Sequence, residues 1–192
     1  MAISIRPAVL RDVPKLAEYL LASTGGGIEW LYKGVLPDRP TNIIVEHLFT
    51  RFGSAWAFTN CWMAEDAGQV IGGMHAALGS AFSASPADLM VPEDRGALVA
   101  PFARLRTPEA MHIMMICVDQ EYRSQGVGKT MMLEVESLAT RAGTNLTSLN
   151  VRGDNPRAIE LYSRLGYVEK ISANVAIPTV YTGRVVHMTK QI

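Results

Sequence analysis

The sequence has few charged residues and no imbalance between them. Only 19% of its 192 residues are charged, and 18 lysines and arginines balance 18 aspartates and glutamates. A disordered polyelectrolyte has far more charge of one sign, and a protein that binds phosphate backbones is usually basic. We therefore expect an ordered, soluble protein without a nucleic acid partner.

Cysteines and long apolar runs are equally scarce. The two cysteines, Cys61 and Cys117, lie in apolar, strand-like segments where a thiol usually acts as a small buried hydrophobe, so no redox function is expected. The wholly apolar run at 113–118 has six residues, against about 18 for a membrane span. The N-terminus has no basic segment followed by an apolar one, and a cytoplasmic location without membrane association is the expectation.

The residue patterns of two common hydrolytic centres are also missing. The histidines are scattered and form no H-x-x-x-H pair, so we predict no metal site. No G-x-S-x-G segment is present, which leaves serine-hydrolase chemistry without support.

The chain is long enough for one domain, and we assign residues 1–192 to it, since 48% of them are hydrophobic. Alternation at 3–5 predicts a strand, and an aspartate and a proline at 12 and 14 predict a helix to about Leu21. A second helix is predicted from 41–42, with Ile44, Leu48 and Phe52 on one face.

The middle of the chain is predicted to form a meander and a central strand. Strand-like segments at 55–58, 61–65 and 69–77 are separated by turn residues, including a hairpin turn at 66–68. Residues 79–110 have no clear periodicity and are interpreted as a lid or insertion, partly helical. The apolar run Met111–Val118 is typical of a strand buried on both faces in mid-sheet.

Alternating strands and helices follow in the last third. A helix is predicted from a glycine-rich turn to Arg141, a strand at 146–151, a helix from Asn155 to Gly166, and a terminal hairpin formed by 167–176 and 183–190. Together these elements predict an α/β fold.

The glycine-rich turn, Arg123-Ser-Gln-Gly126-Val-Gly128-Lys129, leads from the central strand into a helix, and three interpretations compete. A phosphate loop would need glycine at 123, where arginine stands, and a dinucleotide loop would need glycine at 131, where methionine stands. The third is a diphosphate site formed by main-chain N–H groups at the helix N-terminus, with Arg123 and Lys129 adding positive charge.

The order Arg123-x-x-Gly126-x-Gly128 after a strand ending in Val-Asp resembles the acetyl-coenzyme A loop of the GCN5-related N-acetyltransferase (GNAT) family. A second segment, 149–167, resembles the next cofactor segment of that family: a strand, an Asn-containing loop, a helix with a tyrosine, and Gly-Tyr. The close resemblance covers 116–167, about a quarter of the chain.

This resemblance implies a GNAT-like fold: a twisted, mixed, mainly antiparallel sheet of six or seven strands, with helices on both faces and a V-shaped split at the cofactor. The implied activity is transfer of an acetyl group from acetyl-CoA, as co-substrate, to a primary amine by direct attack in a ternary complex. The residues implied in cofactor binding are Ile116, Cys117, Val118, Arg123, Ser124, Gln125, Gly126, Val127, Gly128, Lys129 and Asn155.

The resemblance assigns a catalytic role to Tyr162, as the acid that protonates the departing thiolate; spacing alone would favour a core aromatic instead. Asn155 could cap its helix, face the cofactor, or do both through different atoms. Glu65, His112 and Glu109 are candidates for the base. Relatives that acetylate protein N-termini often carry Glu where Asn150 stands, which argues against that substrate class.

Two other functions remain open from the sequence: an acyl-CoA-binding regulatory module without turnover, and a nucleotide-phosphate hydrolase that uses Gly-Lys-Thr. The acceptor is expected to be a small-molecule or peptide amine. Trp30, Tyr32, Trp62, Met74 and His75 could line its pocket or belong to the core. A homodimer is suggested by analogy alone.

Overall fold

A single mixed sheet organises the molecule. The computed structural model describes residues 2–192, and its strands follow the order β1-β2-β3-β4-β5-β7-β6. All neighbours pair antiparallel except β4 and β5, which are parallel. The strands are β1 (Ile3–Pro7), β2 (Cys61–Asp66), β3 (Gln69–Leu78), β4 (Met111–Val118), β5 (Leu146–Arg152), β6 (Val168–Ile177) and β7 (Tyr181–Gln191).

Helices cover both faces of this sheet, which confirms the expected α/β architecture. The helices are α1 (Val13–Thr24), α2 (Gly27–Tyr32), α3 (Thr41–Phe49), α4 (Gly79–Ala84), α5 (Glu93–Arg104), α6 (Val127–Arg141) and α7 (Pro156–Arg164). Side chains of α6 and α7 pack on one face, with Ile113 and Leu149. The first five helices lie on the opposite face, where α1 and α3 pack on Met115 and α5 packs on Val185.

The central strand has the bounds and position that its apolar run predicts. β4 is fourth of seven in the sheet and spans Met111–Val118. The register with β3 shifts so that His75 lies opposite Met115 and Ala76 opposite Ile113, which leaves Met114 as an extra, bulged residue. A bulge bends the strand and increases its twist. β4 therefore changes direction at Met114.

Local hydrogen bonds explain where the predicted elements were wrong. Residues 55–58 form no strand, because Asn60 donates to the carbonyls of Ser54 and Ala55 at 3.3 and 3.1 Å and closes a loop. α3 ends at Phe49, so Phe52 lies outside it and is 76% exposed. Gly25 and Gly26 have positive φ and separate α1 from the next helix. Gly27 is the first residue of that helix, α2, which the sequence did not predict.

The segment 79–110 forms a wall of two helices, α4 and α5, closed at its base. Gly79 N–H donates to the Ala110 carbonyl at 2.9 Å, and Ser80 N–H to the Pro108 carbonyl at 2.8 Å. A Cβ on Gly79 would lie 2.2 Å from the Thr107 oxygen, so only glycine fits there. Arg95 donates to carbonyls of α2 and its end, at 2.6–3.1 Å. The segment is thereby docked on the N-terminal helices.

Candidate active site

The site begins where β4 and β5 separate. Their parallel pairing consists of three residue pairs and ends at Ile113 and Leu149. On its other edge, β4 continues to pair with β3 as far as Val118. The bulge at Met114 lies at the point of separation. Beyond it, the edge of β4 that faces β5 pairs with no strand among residues 2–192.

Strand alternation decides which main-chain groups of β4 face this opening. Asp119 N–H donates to the Ile71 carbonyl at 3.0 Å, so residues 117 and 115 also direct their N–H and C=O groups toward β3, while Ile116 and Val118 direct theirs away. The Val118 carbonyl accepts from Arg123 Nε at 3.0 Å. Of the three predicted residues, Ile116 therefore offers both of its main-chain groups, Val118 offers its N–H, and those of Cys117 belong to the sheet.

The bend between β4 and α6 holds a row of unused hydrogen-bond donors. Six consecutive residues, Ser124 to Lys129, carry main-chain N–H groups, and none donates to an acceptor within the chain from Ala2 to Ile192. Ser124 and Gly126 adopt positive φ, 63° and 89°, which turns the donors outward before α6 begins at Val127. The buried Val127 side chain anchors this end of α6 in the core.

The bend can bind an anion such as a diphosphate. α6 has 15 residues, and its positive dipole end and free N–H groups point to the same place. A Cβ built on Gly126 or Gly128 meets no atom of residues 2–192 within 4 Å beyond its chain neighbours and its own helix, so the space beside the bend is open to a ligand.

Cationic and amide side chains surround the bend. Lys129 is exposed and forms no ion pair with any residue of the described chain, and Arg123 is exposed but oriented by its bond to Val118. Gln125 Nε2 donates to the Glu121 carbonyl at 2.6 Å and so stiffens the bend. Arg157, which the sequence did not indicate, donates from Nη2 to Ser124 Oγ at 3.0 Å. It links α7 to the bend and adds a third positive charge.

α7 supplies Asn155 and Tyr162. The Asn155 Oδ1 accepts from Ala158 N–H at 3.1 Å, so the predicted helix cap is present, while its Nδ2 donates to no group between residues 2 and 192. Tyr162 is half-buried and packs against the cluster that includes Val151 and Ile116, at the separated strands. Burial raises the pKa of Tyr162, so its phenol keeps its proton at neutral pH.

A family comparison decides between the functions left open by the sequence. Residues 32–167 match the model of the Acetyltransferase (GNAT) family, which is more than half of the chain. The chain belongs to this family. It is an acyltransferase enzyme with the GNAT fold, so the match opposes both the phosphohydrolase and the regulatory module without turnover.

Solved structures show the same fold at low sequence identity. A crystal structure of an acetyltransferase is 18% identical with a TM-score of 0.69, over 98% of this chain and 99% of that one. An N-acetyltransferase from Staphylococcus aureus Mu50 is 16% identical with a TM-score of 0.67, over 97% and 99%. A PaiA N-acetyltransferase from Thermoplasma acidophilum, in complex with coenzyme A, is 14% identical with a TM-score of 0.55, over both entire chains. No match was found among curated protein sequences.

The face of the acetyltransferase opposite α6 carries a polar network at the same strand separation. His112 Nδ1 lies 2.9 Å from Ser148 Oγ, and His187 Nδ1 lies 2.7 Å from Asn150 Oδ1. The two imidazole rings are stacked with centroids 6.1 Å apart. Burial lowers the pKa of both histidines. Both rings are therefore neutral at physiological pH.

The three candidates for the base of the acetyltransferase differ in their surroundings. Glu65 is paired with Arg6 at 2.7 Å on the first two strands, and Glu109 is exposed at the end of the helical wall. Only His112 among the three lies on β4, one residue before its pairing with β5 ends. Of the side chains considered for an acceptor pocket, Tyr32, Met74 and His75 are buried in the core.

Two charged side chains of the acetyltransferase, Arg106 and Glu29, each have a buried polar atom without a hydrogen-bond partner in the described chain: Nε of Arg106 and Oε2 of Glu29. Sequence reasoning missed both, because each lies in a segment without a diagnostic motif. Within residues 2–192, no helix is long and apolar enough to cross a bilayer, and no group of three or more histidine, cysteine or acidic side chains is placed to hold a metal ion.

Proposed function

We propose that this acetyltransferase moves an acetyl group from acetyl-CoA to a primary amine by direct attack within a ternary complex. The observation that carries the proposal is the row of six unused N–H donors at the bend, directly after a strand whose free edge begins at Met114. A diphosphate needs the first feature, and an extended amide chain can pair with the second as another strand would. Coenzyme A contains both groups, joined in one molecule.

The fit extends to individual residues. Ser124 to Lys129 would hold the diphosphate through their N–H groups, with Arg123, Lys129 and Arg157 adding charge. Ile116 and the N–H of Val118 would pair with the pantetheine amides, and Asn155 would donate to them from Nδ2. Cys117 would contribute packing alone, because its main chain pairs with β3.

The reaction needs positioning and two proton movements. The amine nitrogen forms a bond to the acetyl carbonyl carbon, the carbon–sulfur bond breaks, and the thiolate takes the phenolic proton of Tyr162. The attacking nitrogen gives up one proton to solvent, and Tyr162 recovers one. When bound, acetyl-CoA supplies the activated acyl group as a thioester; the chain supplies orientation and a phenol whose pKa is raised by burial.

Tyr162→Phe tests this role. Removing the hydroxyl leaves the ring that packs on the α7 side of the core, so the fold and CoA affinity should persist while turnover falls at least tenfold. Turnover is followed as free thiol released from acetyl-CoA across an amine panel, and CoA affinity by calorimetry. Tyr167→Phe is the matched control, because this neighbouring ring lies 6.1 Å from Tyr162 and is fully buried. Equal turnover of wild type and Tyr162→Phe would show that Tyr162 is not the acid that protonates the thiolate.

Two further outcomes of the same measurements would contradict the acyltransferase assignment itself. Binding of acetyl-CoA without thiol release from any amine would indicate a protein without turnover. Hydrolysis of ATP with magnesium, in preference to any reaction of acetyl-CoA, would indicate a phosphohydrolase. Absence of any calorimetric signal with CoA at millimolar concentration would overturn the proposal as a whole.

A further inference from the structure

Arg106 lies just after α5, and its guanidinium has no ion-pair partner among residues 2–192. Its Nε is buried and has no hydrogen-bond partner in the part of the chain that the structure describes. Its Nη2 contacts the Met114 sulfur at 3.5 Å, and its Cζ lies 4.5 Å from the centroid of the Phe82 ring. No carboxylate of residues 2–192 lies within 4 Å of it.

These contacts do not compensate for the hydration free energy that the Arg106 guanidinium loses on burial. A thioether is a weak acceptor, and an aromatic face offsets only part of the cost of burying a cation. Burial lowers the pKa of Arg106 to about 10, so the group remains charged at neutral pH. Its titratable neighbours, His75 and His112, are held neutral by burial, with the pKa of His75 lowered to about 4. They bring no negative charge.

Other partly buried cations of this chain are satisfied. Arg6 pairs with Asp12 at 2.6 Å, Lys190 with Glu136 at 2.6 Å, and Arg152 with Asp154 at 2.6 Å. A guanidinium pairs with carboxylate and phosphate groups through charge-assisted, often bidentate hydrogen bonds, so the missing partner of Arg106 has a defined chemistry.

The position of Arg106 links that chemistry to the reaction. Met114 is the bulged residue at which β4 separates from β5. Met114 and the His112–Ser148 pair lie on the face opposite α6, where Phe82 of α4 packs against Met114 and His112. Arg106 is partly exposed and contacts Met114, so its guanidinium lies beside the strand separation.

We propose that Arg106 is a specificity-determining residue that binds an anionic group of the acceptor, so that the preferred acceptor is an amine that also carries a carboxylate or phosphate. This inference rests on the proposed function and adds the substrate class. The two oxyanions share the required chemistry, and the test includes both.

The test compares matched acceptors. Amino acids are paired with their carboxamides, and aminoalkyl carboxylates with aminoalkyl phosphates of the same length, with kcat/KM measured by thiol release. Wild type should favour the anionic member at least tenfold over the carboxamide, and Arg106→Met should reduce that ratio to about one. Arg106→Lys should retain part of it. Arg104→Met is the control, since Arg104 lies two residues away and is exposed; its ratio should equal that of wild type.

Thermal unfolding distinguishes a ligand-binding Arg106 from one that stabilises the fold, because the two roles change the Tm in opposite directions. If Arg106 binds a ligand that the free protein lacks, Arg106→Met should raise the Tm of the free protein by about 2 °C or more, because an uncompensated charge is removed. N-acetylated amino acids should raise the Tm of wild type and leave that of Arg106→Met unchanged.

Three results would overturn the inference: equal kcat/KM for acids and carboxamides in wild type, the same loss of ratio in Arg104→Met, or a lower Tm in Arg106→Met. Failure of the proposed function is distinct from these results. It would appear as no thiol release from any amine, and the Tm shifts with N-acetylated acids would still decide whether Arg106 binds an anion.

Discussion

Gly126 and Gly128 stand two residues apart at the bend, and their alanine variants are predicted to behave oppositely. Gly126 has φ of 89° and precedes α6, whereas Gly128 lies inside α6, and neither has a protein atom within 4 Å of an added Cβ. Any effect of a methyl group at these positions therefore comes from backbone conformation or from a bound ligand. Clashes within the protein are excluded.

At Gly126 the methyl group meets a backbone that L-residues avoid. A non-glycine residue in the left-handed region costs about 1–2 kcal/mol, and for a chain of this size each kcal/mol lowers the Tm by about 2–4 °C. Relaxation of φ toward negative values would also redirect the N–H groups of the next residues. Losing one hydrogen bond to a charged group costs about 1.5–3 kcal/mol, so we expect CoA affinity to fall at least tenfold.

At Gly128 the backbone is already helical. Alanine in place of glycine within a helix stabilises by about 0.5–1 kcal/mol. Gly128→Ala should therefore raise the Tm by about 1–4 °C and, since it leaves the main-chain donors in place, lower CoA affinity less than Gly126→Ala does. Thr140→Ala serves as a second control, since it also improves helix propensity but lies at the far end of α6 and is exposed.

Calorimetry with CoA and thermal unfolding of the three variants test this reasoning. The decisive result is the pair of affinities at Gly126 and Gly128. If Gly126→Ala binds CoA as tightly as wild type, the outward-turned donors are not the diphosphate site. If Gly128→Ala loses stability, the bend does not join α6 as described.

Two further predictions concern stability. Burial lowers the pKa of His75 to about 4 in the folded state, whereas an unfolded histidine has a pKa near 6.5. The free energy of unfolding should therefore decline as the pH falls from about 6.5 to 4, by about 3 kcal/mol for this group. Urea unfolding should show a smaller decline in His75→Gln than in His47→Gln, which serves as an exposed control. Arg6→Met leaves the Asp12 carboxylate, 7% exposed and bonded to Arg6 at 2.6 and 3.0 Å, without its cation. The free energy of unfolding should drop by about 2–3 kcal/mol, against less than about 0.5 kcal/mol for Arg164→Met in the exposed pair with Glu160; equal losses would contradict the prediction.

The sequence predicts best those elements whose signals are local. β4 is an apolar run, interrupted only by His112, between two polar segments, and the structure gives it the same bounds. α6 and α7 begin where Gly126 and Asn155 interrupt the chain. In each case a few neighbouring residues determine the backbone, so the pattern is sufficient.

The failures arise where distant residues compete with local propensity. Residues 55–58 are apolar enough for a strand, but the Asn60 side chain closes them into a loop. The short helix α2 is supported by Arg95, 62–65 residues away, through its carbonyls. Arg106 could be seen as unpaired only after the fold had placed Phe82 and Met114 around it.

The proposed CoA side and the proposed acceptor side of the candidate site therefore differ in how well they can be predicted from the sequence. The proposed CoA side consists mainly of main-chain groups in one bend and one strand edge, and a short run of glycines and an apolar strand is enough to create it. The proposed acceptor side consists of side chains that the wall at 79–110 brings onto the sheet from far along the chain. Because that wall is docked through contacts such as Tyr32 to Asp88 at 2.5 Å, a few substitutions in it could change the acceptor without disturbing the bend. The proposed acceptor class therefore depends on Arg106 and the side chains around it, and no sequence motif marks these residues.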